Sequence, residues 1–167
     1  MSQGPEPIVI VTTGGTIDKA YFDALSIYQI GEPVVKKVLD GANVTHPYRI
    51  VELLRKDSLE LTDEDRQRLK ETIAALDERR VVITHGTDTM TDSAAVLATI
   101  PNKTIVLTGA LSPARFSDSD ATFNIGMAFA AVQSLSPGAY VAMNGRVFRA
   151  NEVKKDREQR KFVATNE

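Results

Sequence analysis

The chain contains no cysteine, and it has only two histidines, His46 and His85, in 167 residues. The absence of thiols excludes disulfide bonds, thiolate metal sites and a cysteine nucleophile. Two imidazoles are too few for the multi-histidine sites that bind catalytic zinc. The sequence therefore predicts a protein without a metal or other cofactor, whose chemistry depends on hydroxyl, carboxylate and amine groups.

Charge of one sign and long apolar segments are also scarce. The formal net charge is -2 and the isoelectric point is about 5.8, without the basic excess expected of a nucleic-acid-binding protein. The polar start and the lack of a long apolar run predict neither a signal peptide nor a membrane span. We therefore expect a cytoplasmic protein with no nucleic-acid or membrane partner.

Short apolar, β-branched runs alternate with segments of helical character, and 43% of the residues are hydrophobic. Strands are predicted at 8–12, 49–54, 81–84, 104–108 and 140–143. Helices are predicted at 33–41, 62–76, 91–99 and 124–135. Strands separated by helices of this length favour right-handed crossovers and a parallel sheet covered on both faces. The prediction is an α/β protein with a doubly wound, mostly parallel sheet of flavodoxin-like, three-layer type.

We expect a single domain over residues 1–167, with 144–167 as its charged C-terminal segment. That segment shows no clear core pattern, although 146–148 and 162–163 suit short strands. Residues 18–31 are predicted to form an irregular loop because they show no strong periodicity. The clearest helix is predicted to be capped by Thr62, with Asp65 three residues later in the position of a capping box.

Two threonine-rich turns each follow a predicted strand. Segment 12–17 reads TTGGTI, where Gly14 and Gly15 allow a tight turn and Thr16 presents a hydroxyl. An exposed hydroxyl needs a neighbouring base before it can act as a nucleophile. The alternative is ordinary turn chemistry, with Thr16 capping the next element. No Lys-Ser/Thr pair and no Gly-x-Gly-x-x-Gly spacing follows, so a phosphate or dinucleotide site is disfavoured.

The second turn, HGTDTM at 85–90, precedes a predicted helix, whose free N–H groups can bind a carboxylate or an oxyanion. Asp88 can pair with a substrate ammonium, and Thr87 is a second nucleophile or a positioning residue. The alternative is a helix cap, and His85 is expected to be structural. Lys154 and Lys155 are solvated lysines unless one of them lies beside a carboxylate and a hydroxyl, where it could transfer protons.

Taken together, these motifs resemble the bacterial-type L-asparaginase family over nearly the whole chain. The matching segments are TGGTI at 13–17, DSLELTD at 57–63, HGTDTM at 85–90, TGALSP at 108–113 and FN at 123–124. The resemblance implies hydrolysis of L-asparagine to L-aspartate and ammonia through a threonine acyl-enzyme, without a metal.

The resemblance also implies roles for individual residues. Thr16 corresponds to the primary nucleophile and Tyr21 to a tyrosine on a mobile loop that closes over the site. Thr87, Asp88 and a lysine, best matched by Lys155, correspond to the second catalytic group. Which threonine attacks first is left open by the sequence.

Substrate contacts are implied in the same way. Ser58 is expected to hold the α-carboxylate, Asp88 the α-ammonium, and the Ala110 carbonyl the side-chain amide. The remaining members of the expected substrate-binding set are Gly15 and Gly86, in the two turns whose N–H groups would stabilise the oxyanion, and Leu59. Leu59 departs from the family, which commonly has glutamine beside the serine.

The usual family member has a second, C-terminal domain, and the resemblance therefore implies a short, single-domain form. We expect looser binding of the ammonium end and self-association into a dimer or tetramer. Two other classes remain as alternatives. One is a non-catalytic amino-acid-binding module or partner subunit, and the other is an unrelated flavodoxin-like domain such as a phosphoryl receiver.

Overall fold

The computed structural model describes residues 4–22 and 27–167. The strands are β1 (Ile8–Gly14), β2 (Lys19–Phe22), β3 (Ile27–Ile30), β4 (Tyr48–Lys56), β5 (Arg80–Thr84), β6 (Thr104–Thr108), β7 (Gly138–Met143), β8 (Arg146–Arg149), β9 (Val153–Asp156) and β10 (Lys161–Ala164). The helices are α1 (Val35–Gly41), α2 (Asp63–Ala74), α3 (Met90–Leu97) and α4 (Ala121–Ser134), with 3-10 turns at Thr16–Asp18 and Ser58–Glu60. Among the described residues, no helix has the length and apolar character needed to cross a bilayer.

Six strands form the central sheet in the order β4-β1-β5-β6-β7-β8. Neighbouring strands are parallel from β4 to β7, and only β8 runs antiparallel, at one edge. Every residue of β1 and β6 is buried, as expected for parallel strands covered on both faces. The predicted α/β, doubly wound, mostly parallel fold is confirmed.

The helices lie in two layers, one on each face of the sheet. Apolar residues of α2 and α3, such as Leu69 and Leu97, pack with one face of the strands in a single buried cluster. Residues of α1 and α4, such as Leu39 and Ile125, pack in a second cluster on the other face. The predicted three-layer arrangement is therefore present, with its two cores separated by the sheet.

The predicted start of α2 is confirmed by its hydrogen bonds. Thr62 Oγ1 accepts a bond from the Asp65 N–H at 3.2 Å, and Asp65 Oδ2 accepts from the Thr62 N–H at 3.0 Å. This reciprocal pair is a capping box in which aspartate takes the position that is usually glutamate or glutamine.

Two segments differ from the sequence prediction. The irregular loop predicted at 18–31 is wrong, since β2 and β3 form an antiparallel hairpin in which Tyr21 lies opposite Tyr28. The aromatic cross-strand pair, with ring centroids 5.5 Å apart, stabilises a hairpin that has no Gly-containing two-residue turn signal. The part of that prediction that covers residues 23–26 lies outside the described residues.

The second difference concerns the charged C-terminal segment. Strands near the predicted 146–148 and 162–163 are present as β8 and β10, but β9 was not predicted. The sequence of this segment shows no clear core pattern, yet Phe148, Val153 and Phe162 are buried in the cluster formed with α2 and α3. In the sequence of this segment, single apolar residues are separated by charged ones, so the periodic pattern of a strand or helix is not recognisable.

Strand order fixes the position of the site. The chain leaves β1 toward β4 on one side and leaves β5 toward β6 on the other, so the connections diverge between β1 and β5. In open α/β sheets a crevice forms beyond the carboxyl ends of the strands at such a switch point. The two threonine turns follow β1 and β5 and therefore flank this crevice.

Candidate active site

The turn after β1 needs glycine at two consecutive positions. Gly14 and Gly15 have φ angles of 99° and 89°, in the region that L side chains rarely adopt. A Cβ on Gly15 would also collide with the backbone N and Cα of Gly86 in the other turn. The two turns therefore touch through their backbones, and Thr16 follows immediately as the first residue of a 3-10 turn.

The second turn rests on the segment that contains Ser58. A Cβ on Gly86 would lie 2.6 Å from the Cβ and Oγ of Ser58, so no side chain fits between them. Ser58 Oγ accepts a hydrogen bond from the Thr89 N–H at 3.3 Å, and Thr89 Oγ1 donates to the Ser58 carbonyl at 2.7 Å. Three distant segments of the chain thus form one packed wall.

Neither turn threonine acts as a helix cap. The N-cap position of the first 3-10 turn is Gly15, and that of α3 is Thr89, and neither makes a side-chain capping bond. The capping alternative for Thr16, Thr87 and Asp88 is therefore wrong. These polar groups are available for other contacts.

Lys155, on β9, is the cation that contacts the second turn. Its Nζ donates to Thr87 Oγ1 at 2.8 Å and to Asp88 Oδ1 at 2.7 Å, and its side chain is only 12% exposed. The neighbouring Lys154 is exposed. The structure thus brings Lys155, and not Lys154, to the threonine and the aspartate.

Thr16 and this group border the same cavity, which has a volume of about 330 Å³. Its lining residues are Thr16, Thr87, Asp88, Leu111, Lys155, Arg157 and Arg160. A larger depression of about 720 Å³ lies beside β8 and the end of α4, but it contains none of the candidate nucleophiles and no lysine. We place the candidate site in the smaller cavity because it contains Thr16 together with the bonded group of Thr87, Asp88 and Lys155.

A fixed loop forms the wall around Leu111. The Asp120 carboxylate accepts bonds from the Leu111 and Ser112 N–H groups at 3.0–3.1 Å. Asn124 Nδ2 donates to the Gly109 carbonyl at 2.8 Å and to Asp120 Oδ2 at 2.9 Å. The asparagine of the FN motif therefore holds the loop after β6 in place.

Several residues expected at the site do not line this cavity. Tyr21 is 50% exposed on the β2–β3 hairpin and contacts Tyr28. Ser58 is 1% exposed beneath Gly86, whereas the Leu59 side chain is 65% exposed and faces solvent. Ala110 is buried next to Leu111. Gly15 and Gly86 lie within the touching turns and contribute backbone only.

Two cavity residues, Arg157 and Arg160, were not predicted. They follow Lys155 closely in the sequence, and their only signal was the general charge of that segment. Their placement depends on the β9–β10 hairpin, which the sequence did not reveal.

His85 is fully buried between two partners. Its Nδ1–H donates to the Gly86 carbonyl at 2.6 Å, so Nε2 accepts from the Ser93 hydroxyl at 2.8 Å. Desolvation lowers the pKa of His85 to about 4 and keeps the ring neutral near pH 7. These contacts fit the expected structural role.

Asp18 lies at the base of the β2–β3 hairpin. Its Oδ1 accepts from the Val34 N–H at 3.0 Å, and its carbonyl accepts from the Gly31 N–H at 2.8 Å and from Arg115 at 3.1 Å. Desolvation raises the pKa of Asp18 to about 6, against the opposing effects of the Val34 N–H and Arg115. The residue therefore joins both ends of the hairpin that carries Tyr21.

No cluster of three or more histidine, aspartate or glutamate side chains suited to a metal ion occurs among residues 4–22 and 27–167. The expectation of a cofactor-free protein stays a prediction.

The fold and the site define an α/β protein with a hydroxyl, carboxylate and lysine group at the sheet's switch point. Residues 7–163 match the sequence profile described as "Asparaginase, N-terminal". The chain belongs to the asparaginase family. The resemblance seen in the sequence motifs is thereby confirmed.

Named relatives agree with this assignment. A glutaminase-asparaginase of Acinetobacter glutaminasificans is 32% identical over 171 residues, which cover 89% of this chain and 49% of the relative. An L-asparaginase of Thermococcus kodakarensis is 31% identical over 158 residues, which cover 89% of this chain and 47% of that protein. The chain spans about half the length of the curated relatives it matches.

Solved structures show the same fold. The thermostable L-asparaginase from Thermococcus kodakarensis superimposes with a TM-score of 0.84 at 25% identity, over 96% of this chain and 52% of that one. A probable cytoplasmic L-asparaginase from Campylobacter jejuni gives a TM-score of 0.81 at 30% identity, with the same coverage of both chains.

Proposed function

We propose that this protein is an amidohydrolase that converts L-asparagine to L-aspartate and ammonia through a threonine acyl-enzyme. The observation that carries the proposal is the meeting of Thr16 with Thr87, Asp88 and Lys155 around one cavity. Membership of the asparaginase family and the names of the relatives support asparagine as the substrate.

In the proposed first step, Thr16 Oγ1 attacks the carbon of the substrate's side-chain amide. The hydroxyl proton passes to the amide nitrogen, and ammonia leaves as an ester forms on Thr16. The negative charge on the substrate oxygen is stabilised by backbone N–H groups of the two turns, among them that of Gly86, whereas the Gly15 N–H already donates to the Lys56 carbonyl at 2.9 Å. Fixed donors of this kind need no reorganisation during the reaction.

In the second step, water attacks the ester carbonyl, a proton returns to Thr16 Oγ1, and aspartate is released. Thr87, Asp88 and Lys155 are the group proposed to orient that water, and the proton that the water loses is the one that Thr16 Oγ1 takes up as the ester bond breaks. The short contact of the Lys155 ammonium with Thr87 Oγ1 lowers the cost of negative charge on the threonine oxygen. Asp88 holds Lys155 in place through Oδ1, which leaves Oδ2 for the substrate ammonium.

Two further contacts complete the proposal. The Ala110 carbonyl, next to the cavity residue Leu111, accepts a bond from the side-chain amide. Tyr21 closes over Thr16 and assists proton transfer, which requires the half-exposed β2–β3 hairpin to move.

Self-association into a dimer or tetramer is proposed for the assembled protein. Leu59, Phe116, Phe123 and Val147 are exposed large apolar side chains of the kind that subunit interfaces cover. Light scattering that shows a monomer at micromolar concentration would contradict this proposal. The cytoplasmic location stays a prediction, since one relative is named a probable periplasmic L-asparaginase.

The decisive experiment is ammonia release from asparagine by the wild type and by Thr16→Ala. We expect the variant to lose about a thousandfold or more in kcat/KM, because it lacks the atom that forms the acyl-enzyme. Its melting temperature should stay near that of the wild type, since Thr16 is only half-buried. Thr122→Ala, an exposed hydroxyl deletion on α4, is the matched control and should retain full activity.

Two outcomes would contradict the assignment. Unchanged turnover in Thr16→Ala would exclude Thr16 as the nucleophile. Saturable binding of aspartate without ammonia release by the wild type would favour the non-catalytic amino-acid-binding module instead.

A further inference from the structure

The β2–β3 hairpin joins the rest of the protein at a narrow base. β2 begins at Lys19, shortly after Thr16, and carries Tyr21 further along the same strand. The Asp18 carbonyl accepts from the Gly31 N–H at 2.8 Å, and this bond closes the base between the chain that enters the hairpin and the chain that leaves it. The geometry of the base therefore determines where Tyr21 lies relative to the proposed nucleophile.

One side chain from another part of the fold binds this base. Arg115 Nη1 donates to the Asp18 carbonyl at 3.1 Å and to the Lys19 carbonyl at 3.3 Å. Its Nη2 donates to the Glu32 carbonyl at 3.5 Å, a longer and weaker bond. Asp18 and Lys19 belong to the chain that enters the hairpin, and Glu32 to the chain that leaves it. A planar guanidinium with several fixed donors can bridge the two, whereas a lysine ammonium on a flexible stem cannot hold several carbonyls in one geometry.

The loop that carries Arg115 is itself held in place. The N–H of the preceding residue, Ala114, donates to the Ile17 carbonyl at 3.0 Å, within the 3-10 turn that begins with Thr16. The Asp120 carboxylate holds the beginning of the same loop through two backbone N–H groups. The guanidinium of Arg115 is therefore presented from a fixed support beside the nucleophile turn.

Two other contacts of the hairpin are weaker. Lys19 Nζ lies 3.4 Å from Asp57 Oδ2 in the serine turn, and these side chains are 29% and 31% exposed. Ion pairs that are exposed to this extent contribute little to stability. The Tyr28 ring contacts Phe116 edge-on, with ring centroids 5.9 Å apart, and both side chains are exposed. The hairpin is thus fixed mainly at its base, and the part that carries Tyr21 is held more loosely.

We propose that Arg115 is a positioning residue that fixes the hinge of the β2–β3 hairpin, so that Tyr21 reaches Thr16 when the hairpin closes; this inference rests on the proposed function. Tyr21 is not among the residues that line the cavity, so the hairpin must move before the tyrosine can assist proton transfer. A hinge that stays bonded during this movement directs the tyrosine to one position, and a loosened hinge allows many. Arg115 itself contacts neither the substrate nor the reacting atoms.

The first test removes the guanidinium and keeps an unbranched side chain. Arg115→Met should lower the kcat for asparagine by about tenfold, the effect of losing hydrogen bonds from a charged group. The KM should change by less than about threefold, because Ser58 and Asp88, the proposed ligands of the amino-acid ends, belong to other segments. Lys19→Gln should lower kcat by about threefold at most, since its ion pair is partly exposed. Arg68→Met, at an exposed arginine on α2, is the matched control and should behave as the wild type.

A more conservative variant separates a loosened hinge from a failure to fold. Arg115→Lys keeps the positive charge but cannot bridge both sides of the base, so its kcat should lie between those of Arg115→Met and the wild type. Both variants should melt near the wild-type temperature, because the Arg115 side chain is exposed. If Arg115→Met does not fold, the comparisons below are made with Arg115→Lys.

A double-mutant cycle tests whether Arg115 acts through Tyr21. Tyr21→Phe has no hydroxyl to position, so adding Arg115→Met to it should lower kcat by less than about twofold further. A merely structural role of Arg115, such as shaping the loop that contains Leu111, would give the same tenfold loss with and without the tyrosine hydroxyl.

Hydrogen exchange measures the hinge independently of catalysis. In Arg115→Met the backbone amides of β2 and β3 should exchange about tenfold faster than in the wild type. The amides of β5, inside the central sheet, should exchange at the wild-type rate. Arg68→Met should leave both sets of amides unchanged.

Three results would overturn the proposal. These are a wild-type kcat in Arg115→Met, an equal loss of kcat with and without the Tyr21 hydroxyl, and unchanged hydrogen exchange in the hairpin. If the wild type releases no ammonia from asparagine, the proposed function fails by itself. Hydrogen exchange then decides the role of Arg115: faster exchange of the hairpin in Arg115→Met supports the hinge, and equal exchange overturns it.

Discussion

Replacing Asp18 by asparagine should remove a pH-dependent cost to stability. Burial raises the pKa of Asp18 from 3.8 to about 6, so the folded protein favours the protonated carboxyl. As the pH rises from about 3.8 to about 6, the carboxyl must ionise in a buried environment, and the free energy of unfolding falls. The full cost is present above pH 6.

The magnitude follows from the two pKa values. One pKa unit corresponds to about 1.4 kcal/mol, so an ionised Asp18 costs about 3 kcal/mol at neutral pH. The asparagine side chain in Asp18→Asn would keep an oxygen for the Val34 N–H but would place an NH₂ group where Oδ2 has no hydrogen-bond partner among the described residues. That unpaired donor costs about 1–3 kcal/mol, so the net gain at pH 8 is between zero and about 2 kcal/mol.

The pH dependence of the free energy of unfolding is a more specific expectation than its value at one pH. The difference in unfolding free energy, Asp18→Asn minus wild type, should grow by about 2 kcal/mol between pH 4 and pH 8. His85 has the opposite effect in an overlapping window, because its lowered pKa of about 4 makes the fold lose stability as the pH falls below about 6.5. Both proteins contain His85, so its contribution cancels when the two free energies of unfolding are subtracted.

Urea unfolding followed by circular dichroism at each pH measures this difference. The fitted m-values should be equal, which shows that both proteins unfold between similar states. A difference curve that is flat from pH 4 to pH 8 would refute the raised pKa of Asp18. A curve that falls with pH would show that Asp18 is stabilised as the anion.

Two other substitutions test the packing of the site wall and the start of α2. Gly86→Ala should lower the unfolding free energy by about 1–3 kcal/mol, because its Cβ would lie 2.6 Å from Ser58 Cβ. Gly41→Ala, with open space around the new Cβ, is the control, and equal urea midpoints for the two variants would disprove the contact. Thr62→Ala should lower the free energy of unfolding by about 1 kcal/mol, because it removes the cap on the Asp65 N–H. Thr62→Ser keeps a hydroxyl and should retain most of that stability. A wild-type melting temperature in Thr62→Ala would count against the capping box.

The parallel sheet could be predicted because its strands are continuous apolar runs. Residues 8–12 and 104–108 are buried on both sides, and such runs are typical of sheets covered by helices on both faces. The hairpins could not be predicted in this way. Tyr21 and Tyr28 stabilise β2 and β3 through a cross-strand contact that appears only once the register is known.

Part of the site was predictable by the same reasoning. Because β1 and β5 are parallel neighbours, the turns that follow them meet at one edge, and Thr16 and Thr87 come together. The choice of Lys155 over Lys154 required the register of β9 with β10, since alternate residues face opposite sides of a strand. Arg157 was missed for the same reason.

Long-range assembly also explains how a lysine at this position differs from an ordinary surface lysine. Lys155 is 67 residues from Asp88 along the chain, and the contact forms only when β9 docks on the core through Val153. Packing removes most of the solvent around Nζ, and Asp88 keeps its charge paired. The strength of the contact with Thr87 therefore depends on the same hairpin that carries Arg157 over the cavity. The contact of Lys155 with Thr87 and Asp88 and the β9–β10 hairpin are parts of one structural unit, so changes that loosen β9 and β10 should impair turnover.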